Sequence, residues 1–506
     1  MPHRRQKGPN MFEKITPEEA GISSARVAEF IGRLNKRGMP MHSVLMMKGD
    51  KLFAEYYWAP FNKDFCHRMY SQTKSYTAVA IGLLVEEGKI DLDAPMASYF
   101  PEKIYTKLPK MLAAQTVREM LTMTTVSECG RWFDDNGYDD RTKFYFNFNR
   151  HEGGRAAGTI WEYDSAGSQV LSNLVEKMSG MSTFEYLNEK IFKHLGTFKT
   201  ATMLKTRNGD SWGDSALICT PRDMMSFARF VMNYGTWNGK RLMNEQYLRE
   251  ATSKRVDNYT EHRDIFGNGY GYQIWRTEQN GFAFNGMGSQ FTVCLPDRDL
   301  IFVCTADTQG IDHASNLILG SYFDTIVENL SDTPLASDPE AEKLLAEATR
   351  DLKLFCFKGA EDSPYRTELD GAVYECSENP MGIKSLSFAF AEDGKSGELH
   401  YTNAQGDKVI PFGINHNVFG KFPELGYSND FGGLRTTDGF MYDDAVSAAW
   451  LQDNKLGIYV QVIDRYFGNC TMTFAFKNDD ATVRMIKTAE DFLDEYEGIA
   501  VAKKVK

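Results

Sequence analysis

The chain has 506 residues, 42% of them hydrophobic and 25% charged, with a net charge of −12 and a pI near 5.4. That length implies two or three domains, and the acidic balance argues against nonspecific binding to nucleic acid or to an anionic membrane surface. There is no run of about 18 apolar residues, so no membrane-spanning helix is expected. Residues 1–10 are polar and basic with no apolar segment behind them, so no secretory signal peptide is expected either.

The eight cysteines are scattered without a C-x-x-C pair, and the nine histidines show no H-E-x-x-H or Cys/His cluster. No zinc site is indicated, and a reducing, cytoplasmic location is the simplest expectation.

In chain order, residues 43–48 and 51–57 flank Gly49-Asp50 and predict a hairpin. Ser71-Gln72-Thr73-Lys74 follows, the only Ser-x-x-Lys in the sequence, and it opens a long apolar run. On a helix, residues three apart share a face, so an amine stands beside a hydroxyl. This is the minimal device for activating a serine without histidine. The competing reading makes Ser71 an N-cap and Lys74 a solvated first-turn lysine. Against it, Val79, Ala80, Ile81, Leu83, Leu84 and Val85 make the helix apolar around much of its girth, which predicts burial. Gly88 is placed to end it.

Thr116 and Glu119 have capping-box spacing. Residues 131–158 are rich in aromatics, Asp, Asn and Gly without a clear period, and a loop of that length is often functional. Helices are predicted at 167–179, 183–194 and 221–234, strands at 291–295 and 300–306 across the turn Pro296-Asp297-Arg298-Asp299, and a helix at 314–330. Two hairpin regions thus bracket a helical middle, which predicts an antiparallel sheet closed by the two ends of one domain. Residues 331–340 read as a linker leading into a charged helix that reaches about Leu354. Beyond it, hairpins at 399–402/408–412, 445–451/456–463 and 470–476/482–486 predict a β-rich domain, a barrel or a curved sheet, and 490–498 a short helix. The expected domains are 11–330, a linker and helix at 331–354, and 355–506.

Lysine in water titrates near ~10.4, so Lys74 needs help to work as a base. An oxyanion hole and a second proton carrier are also required. Gly158-Thr159-Ile160-Trp161-Glu162-Tyr163-Asp164-Ser165 puts a tyrosine between a Gly-bearing loop and a helix. A phenolate is stabilised by a nearby ammonium and can carry the serine proton. The alternative is that Tyr163 is an ordinary half-buried aromatic.

The order Ser-x-x-Lys, Tyr-x-Ser, then a Gly-bearing strand resembles the serine β-lactamase and penicillin-binding-protein superfamily. The best match is its class C-like branch of family VIII carboxylesterases, D-amino-acid peptidases and nylon-oligomer hydrolases. Met69-Tyr70-Ser71-Gln72-Thr73-Lys74, Glu87-Gly88-Lys89-Ile90-Asp91-Leu92-Asp93-Ala94-Pro95, Thr116-Val117-Arg118-Glu119-Met120-Leu121-Thr122 and Gly158 through Tyr163 carry the likeness, which spans roughly residues 18–306. It implies an α+β fold: a β-lactamase/transpeptidase-like domain, an antiparallel sheet flanked by helices with a helical subdomain, followed by a β-rich, barrel-like C-terminal domain. By matching residue it implies Ser71 as the acylated nucleophile, Lys74 as its activator and Tyr163 as the acid–base partner. The third box falls on Phe284-Asn285-Gly286, with Ser165, Asn285 and Gly286 on the substrate and the backbone N–H groups of Ser71 and Met287 as the oxyanion hole. A side chain at Gly286 would keep the backbone from the substrate carbonyl.

Two departures stand out. The third box has no cation, which removes the usual partner of a β-lactam carboxylate, and the second box carries Ser165 in place of asparagine. Trp132, Phe133, Tyr138, Phe144, Tyr145 and Phe146 are candidates for an aromatic wall or for helical packing. Residues 269–275 read as a structural strand. The expected activity is hydrolysis of a small ester or amide through an acyl-enzyme, without metal or organic cofactor and without nucleic-acid or membrane partner; the oligomeric state is left open. One rival is a D-amino-acid-specific peptidase or amidase in which Asp443 or Asp444 binds a substrate amine. The other is a binding protein on the same fold without activity.

Overall fold

The computed structural model describes residues 12–126, 140–148, 154–259, 264–489 and 491–506. The chain forms two units. One runs to Leu354 and takes in Asp430–Gly432; the other comprises Phe355–Asn429 and Gly433–Lys506.

The first unit is built on a six-stranded antiparallel sheet. Its strands are β1 (Met41–Lys48), β2 (Lys51–Tyr57), β3 (Trp275–Arg276), β4 (Phe282–Gly286), β5 (Gln290–Leu295) and β6 (Leu300–Ala306), in the order β2-β1-β6-β5-β4-β3. The sheet is therefore closed by sequence-distant ends, as the hairpin pattern anticipates. β1 and β6 are buried along nearly their whole length, because both faces are covered. Period-two alternation sends Leu45, Met47, Ile301 and Val303 into one core and Val44, Met46, Phe302 and Cys304 into another.

The helices α1 (Ser24–Lys36), α2 (Thr73–Glu86), α3 (Ser165–Ser179), α4 (Pro221–Met232) and α5 (Ala314–Thr325) cover these faces. α1 and α5 contribute to the second core, and α2, α3 and α4 to the first. α2 is buried from Thr73 to Leu84, as its all-round apolar sequence requires. Tyr76 stacks on Phe227 of α4 at 3.9 Å, and Gly88 takes φ +68° just past the helix end. The Thr116–Glu119 capping box is formed. The helix expected over 183–194 is instead broken into Thr183–Leu187, a π turn at Asn188–Phe192 and Lys193–Leu195. Among the described residues no helix is long and apolar enough to cross a membrane.

The second unit is a closed barrel. Its strands are β7 (Val373–Cys376), β8 (Ser385–Phe390), β9 (Ser396–Asn403), β10 (Gly406–Ile414), β11 (Val418–Leu425), β12 (Met441–Gln452), β13 (Lys455–Ile463), β14 (Phe467–Lys477), β15 (Asp480–Ala489) and β16 (Gly498–Lys504). Nine of them form the ring β10-β9-β8-β7-β16-β15-β14-β13-β12, closed by a short parallel pairing of Gly413 with Ser447 and Ile414 with Ala448. β11 is the tenth and pairs with β12. Strict alternation of buried with half-buried or exposed residues along β9 is what a barrel wall needs. The tail expected as a short helix is a 3₁₀ segment, Asp491–Tyr496, followed by the strand β16.

Candidate active site

Ser71 does not cap a helix. It lies in a 3₁₀ turn, Tyr70–Gln72, ahead of α2, and the α2 N-cap position is Gln72, with no side-chain cap bond. Tyr70 is held at φ +47°, a conformation costly for a bulky side chain and concentrated at functional sites. The Arg68 guanidinium lies 4.5 Å from the Tyr70 ring.

Lys74 is 2% exposed. Its Nζ donates to Ser71 Oγ at 3.0 Å and to the Asp214 carbonyl at 2.8 Å, and lies 3.6 Å from Asp214 Oδ2. The solvated-lysine reading is excluded by this burial. Asp214 is itself 1% exposed, so the two form a buried ion pair. The segment around it is an anchor: the Gly213 carbonyl accepts from Thr77 Oγ1 at 2.7 Å and the Ser215 carbonyl from Arg68 Nε at 3.1 Å. A Cβ on Gly213 would collide with Ser172.

Tyr163 precedes α3, whose N-cap is Asp164. The Asp164 carboxylate accepts from the Gly167 N–H at 2.9 Å and from Thr125 Oγ1 at 3.0 Å. This fixes the residue next to Tyr163. The Tyr163 ring stacks on Trp275 with centroids 5.8 Å apart and lies 5.2 Å from Lys74 Nζ. Ser71, Tyr163, Asn285, Gly286 and Met287 line one cleft of about 850 Å³. Ser165 opens α3, half-buried, and is not part of that lining.

Gly286 is required for a reason the sequence does not reveal. A Cβ there would run into the Met69 carbonyl oxygen, so β4 can approach the nucleophile turn only at a glycine. Phe284 points into the core. Phe144, Tyr145 and Phe146 are also core residues, on the helix Arg141–Phe148; Gln115 Nε2 donates to Tyr145 OH at 2.9 Å. They pack the helical region and do not line the cleft. Trp132, Phe133 and Tyr138 lie outside the described residues.

Sequence reasoning missed Asp214, Trp275 and a whole wall of the cleft: Asp264, Thr308, Ile311 and the first residues of α5 with His313 before them. Trp275 sits in the segment read as structural, where its tandem of aromatics was the available signal. Asp214 acts partly through a backbone carbonyl, which leaves no signature in a sequence. His42 and His67, with ring nitrogens 3.2 Å apart, are buried away from the cleft lining. Burial pushes His67 down to about 3 and His42 well below its ordinary value, so both are neutral.

A 6-aminohexanoate-dimer hydrolase from Paenarthrobacter ureafaciens is 25% identical over 219 residues, which is 40% of this chain and 55% of that protein. The chain thus matches about half the length of that relative. Among solved structures, a Bacillus anthracis protein described as a 6-aminohexanoate-dimer hydrolase superposes with a TM-score of 0.51 at 18% identity, over 63% of this chain and 89% of its own. The octameric penicillin-binding protein homologue of Pyrococcus abyssi gives a TM-score of 0.48 at 16% identity, over 94% and 99%. The profile of the Beta-lactamase family matches residues 27–317, more than half of the chain, and the protein belongs to that family.

Proposed function

We propose that the protein is a serine hydrolase that cleaves a small ester or short amide through an acyl-enzyme on Ser71. The observation that carries this is the buried Lys74 ammonium 3.0 Å from Ser71 Oγ, with the Tyr163 ring above it and both Ser71 and Tyr163 opening on one cleft. In this reading Lys74, paired with Asp214, is the hydrogen-bond donor to Ser71 Oγ, and the Tyr163 phenolic oxygen is the proton acceptor. Ser71 Oγ bonds to the substrate carbonyl carbon and its proton passes to Tyr163. The carbon–oxygen or carbon–nitrogen bond breaks, and Tyr163 returns the proton to the departing alcohol or amine. Water then attacks the acyl-enzyme, Tyr163 takes its proton, and that proton goes back to Ser71 Oγ. The N–H groups of Ser71 and Met287 hold the oxyanion.

Among the described cleft-lining residues there is no lysine or arginine, which supports a substrate without a carboxylate beside the scissile bond. The name of the Paenarthrobacter relative favours a second reading, in which the scissile bond is a linear amide. The D-aminopeptidase reading needs Asp443 or Asp444 for a substrate amine; Asp443 pairs with Lys421 at 2.7 Å and Asp444 is buried on β12 opposite Gly420, which does not favour it.

The test is hydrolysis of p-nitrophenyl butyrate by the wild type and Ser71→Ala, prepared side by side. Turnover confined to the wild type is expected. Equal rates would remove Ser71 from the mechanism, and no turnover in either would shift weight to amides or to a binding protein without activity.

A further inference from the structure

Gln72 and Gln290 are both completely buried, and they lie on the two elements that must meet to make the oxyanion hole. Gln72 follows the nucleophile in the turn Tyr70–Gln72. Gln290 opens β5, directly after the turn that carries Met287. Gln72 Nε2 donates to the Gln290 carbonyl at 3.0 Å, and Gln72 Oε1 accepts from Thr292 Oγ1 at 3.0 Å. Gln290 Nε2 donates to the Met287 carbonyl at 3.2 Å and to the Ala306 carbonyl at 2.6 Å. The two amides therefore form a chain from the residue beside Ser71 to the turn at Met287.

Packing alone does not account for this. Burying two carboxamides is costly unless their bonds are made; Gln72 is bonded at both ends, whereas Gln290 is bonded through Nε2 and its buried Oε1 has no hydrogen-bond partner among the described residues, and an apolar residue fills such a space without that cost. The turn they grip is otherwise demanding: Gly288 is at φ +76° and Ser289 at φ +69°. The Ser289 hydroxyl pairs with Thr308 Oγ1 at 2.6 Å. On the other side, the close approach of Gly286 to the Met69 carbonyl sets the contact between the same two elements.

We infer that Gln72 and Gln290 are positioning residues that set the separation of the Ser71 and Met287 N–H groups, and hence the fit of the hole to the oxyanion. The inference rests on the acyl-enzyme reading above. Oxyanion donors act on the tetrahedral transition state more than on bound substrate. The readout is therefore a split that a purely structural role does not produce. Gln72→Met keeps the volume and removes both bonds; Thr292→Val removes only one and spares the fold if the first variant is unstable. For each, kcat and KM on p-nitrophenyl butyrate are measured per titrated active site, together with Ki for butylboronic acid, which forms a tetrahedral adduct with the serine.

The expected result for Gln72→Met is a kcat about 10- to 100-fold lower with KM unchanged and Ki raised by the same factor. Thr292→Val shifts in the same direction by less. Variants that lose only thermal stability, with kcat and Ki per active site equal to wild type, would overturn the inference while Ser71→Ala still abolishes turnover. Turnover surviving in Ser71→Ala would overturn the underlying reading instead.

Discussion

Each unit sets a lysine against a buried carboxylate, and the two pairs are built differently. In the barrel, Lys408 Nζ lies 3.0 Å from Glu424 Oε2 and also donates to the Pro423 carbonyl at 2.7 Å. Glu424 Oε1 accepts from Tyr496 OH at 2.8 Å and from Asn403 Nδ2 at 3.2 Å. Every charge there is matched by short bonds, the condition under which a buried pair is tolerable. In the first unit, Lys74 is 3.6 Å from Asp214 Oδ2, and neither Asp214 carboxylate oxygen has a hydrogen-bond partner among the described residues. Two of the short bonds of Lys74 go to a backbone carbonyl and to a serine hydroxyl. A satisfied pair holds a fold together; a lysine shared with a hydroxyl at the edge of a cleft is arranged for chemistry.

The largest effects separate the two lysines. Lys74→Met should lower kcat/KM on p-nitrophenyl butyrate by about 10³-fold. It also leaves the Asp214 carboxylate buried without its counter-ion. Lys408→Met should leave kcat/KM of the folded protein unchanged and lower the unfolding free energy of the barrel by about 3 kcal/mol, read from urea titration. Substantial turnover by Lys74→Met, or loss of turnover in folded Lys408→Met, would break the contrast.

The tyrosines sharpen it. Tyr163→Phe keeps the ring against Trp275 and removes only the phenolic oxygen, so kcat should fall by about 10²-fold or more with the melting temperature unmoved. Tyr496→Phe removes the bond to Glu424 and the partner of Tyr401 OH. That should cost about 1–3 kcal/mol of stability and no catalysis. A catalytic defect in Tyr496→Phe alone would reverse the assignment of roles.

How much of this is legible in the sequence follows from where the information lies. The pairing of Ser71 with Lys74 is legible because helical geometry turns a spacing of three into a shared face. The sheet is legible because hairpins are local and because β1 and β6 each carry an apolar run, Val44–Met47 and Leu300–Cys304. The barrel walls show in their alternation, but closure does not: it depends on two residue pairs between β10 and β12 and on a last strand, β16, that follows the 3₁₀ segment Asp491–Tyr496. Asp214 was invisible because its bond to Lys74 runs through a carbonyl that every residue possesses. The cleft wall at His313–Asn316 was hidden because those residues open a helix whose apolar face was its only readable feature. Gln72 stood in plain view between Ser71 and Lys74, yet nothing in its identity says that its partner lies more than 200 positions away.

A further contrast is a difference in acid response between the units, which leaves catalysis untouched. Burial pushes the Asp444 carboxyl from the ordinary 3.8 up to about 7, with the Gly420 N–H opposing and Asp443 adding to the rise. Glu55 goes the other way: burial raises it, but bonds from Arg222 and Lys14 outweigh that and hold it at about 2. For Asp444 the folded state binds the extra proton between pH 3.8 and 7, so its contribution is greatest at low pH and is lost as pH rises through that window. For Glu55 the contribution is complete above about pH 4.5 and is lost as pH falls toward 2. Asp444→Asn should therefore match the wild type near pH 4 and become the more stable protein by pH 7. The gap is bounded at roughly 4 kcal/mol at about 1.4 kcal/mol per pH unit and stays flat above that. Glu55→Gln should be less stable than wild type at neutral pH and converge on it below pH 4. Urea midpoints of the three proteins from pH 3 to 8 decide the matter. Parallel curves for Asp444→Asn and wild type would mean that Asp444 is ionised in the folded barrel at neutral pH, with its charge carried by Lys421 rather than suppressed by burial.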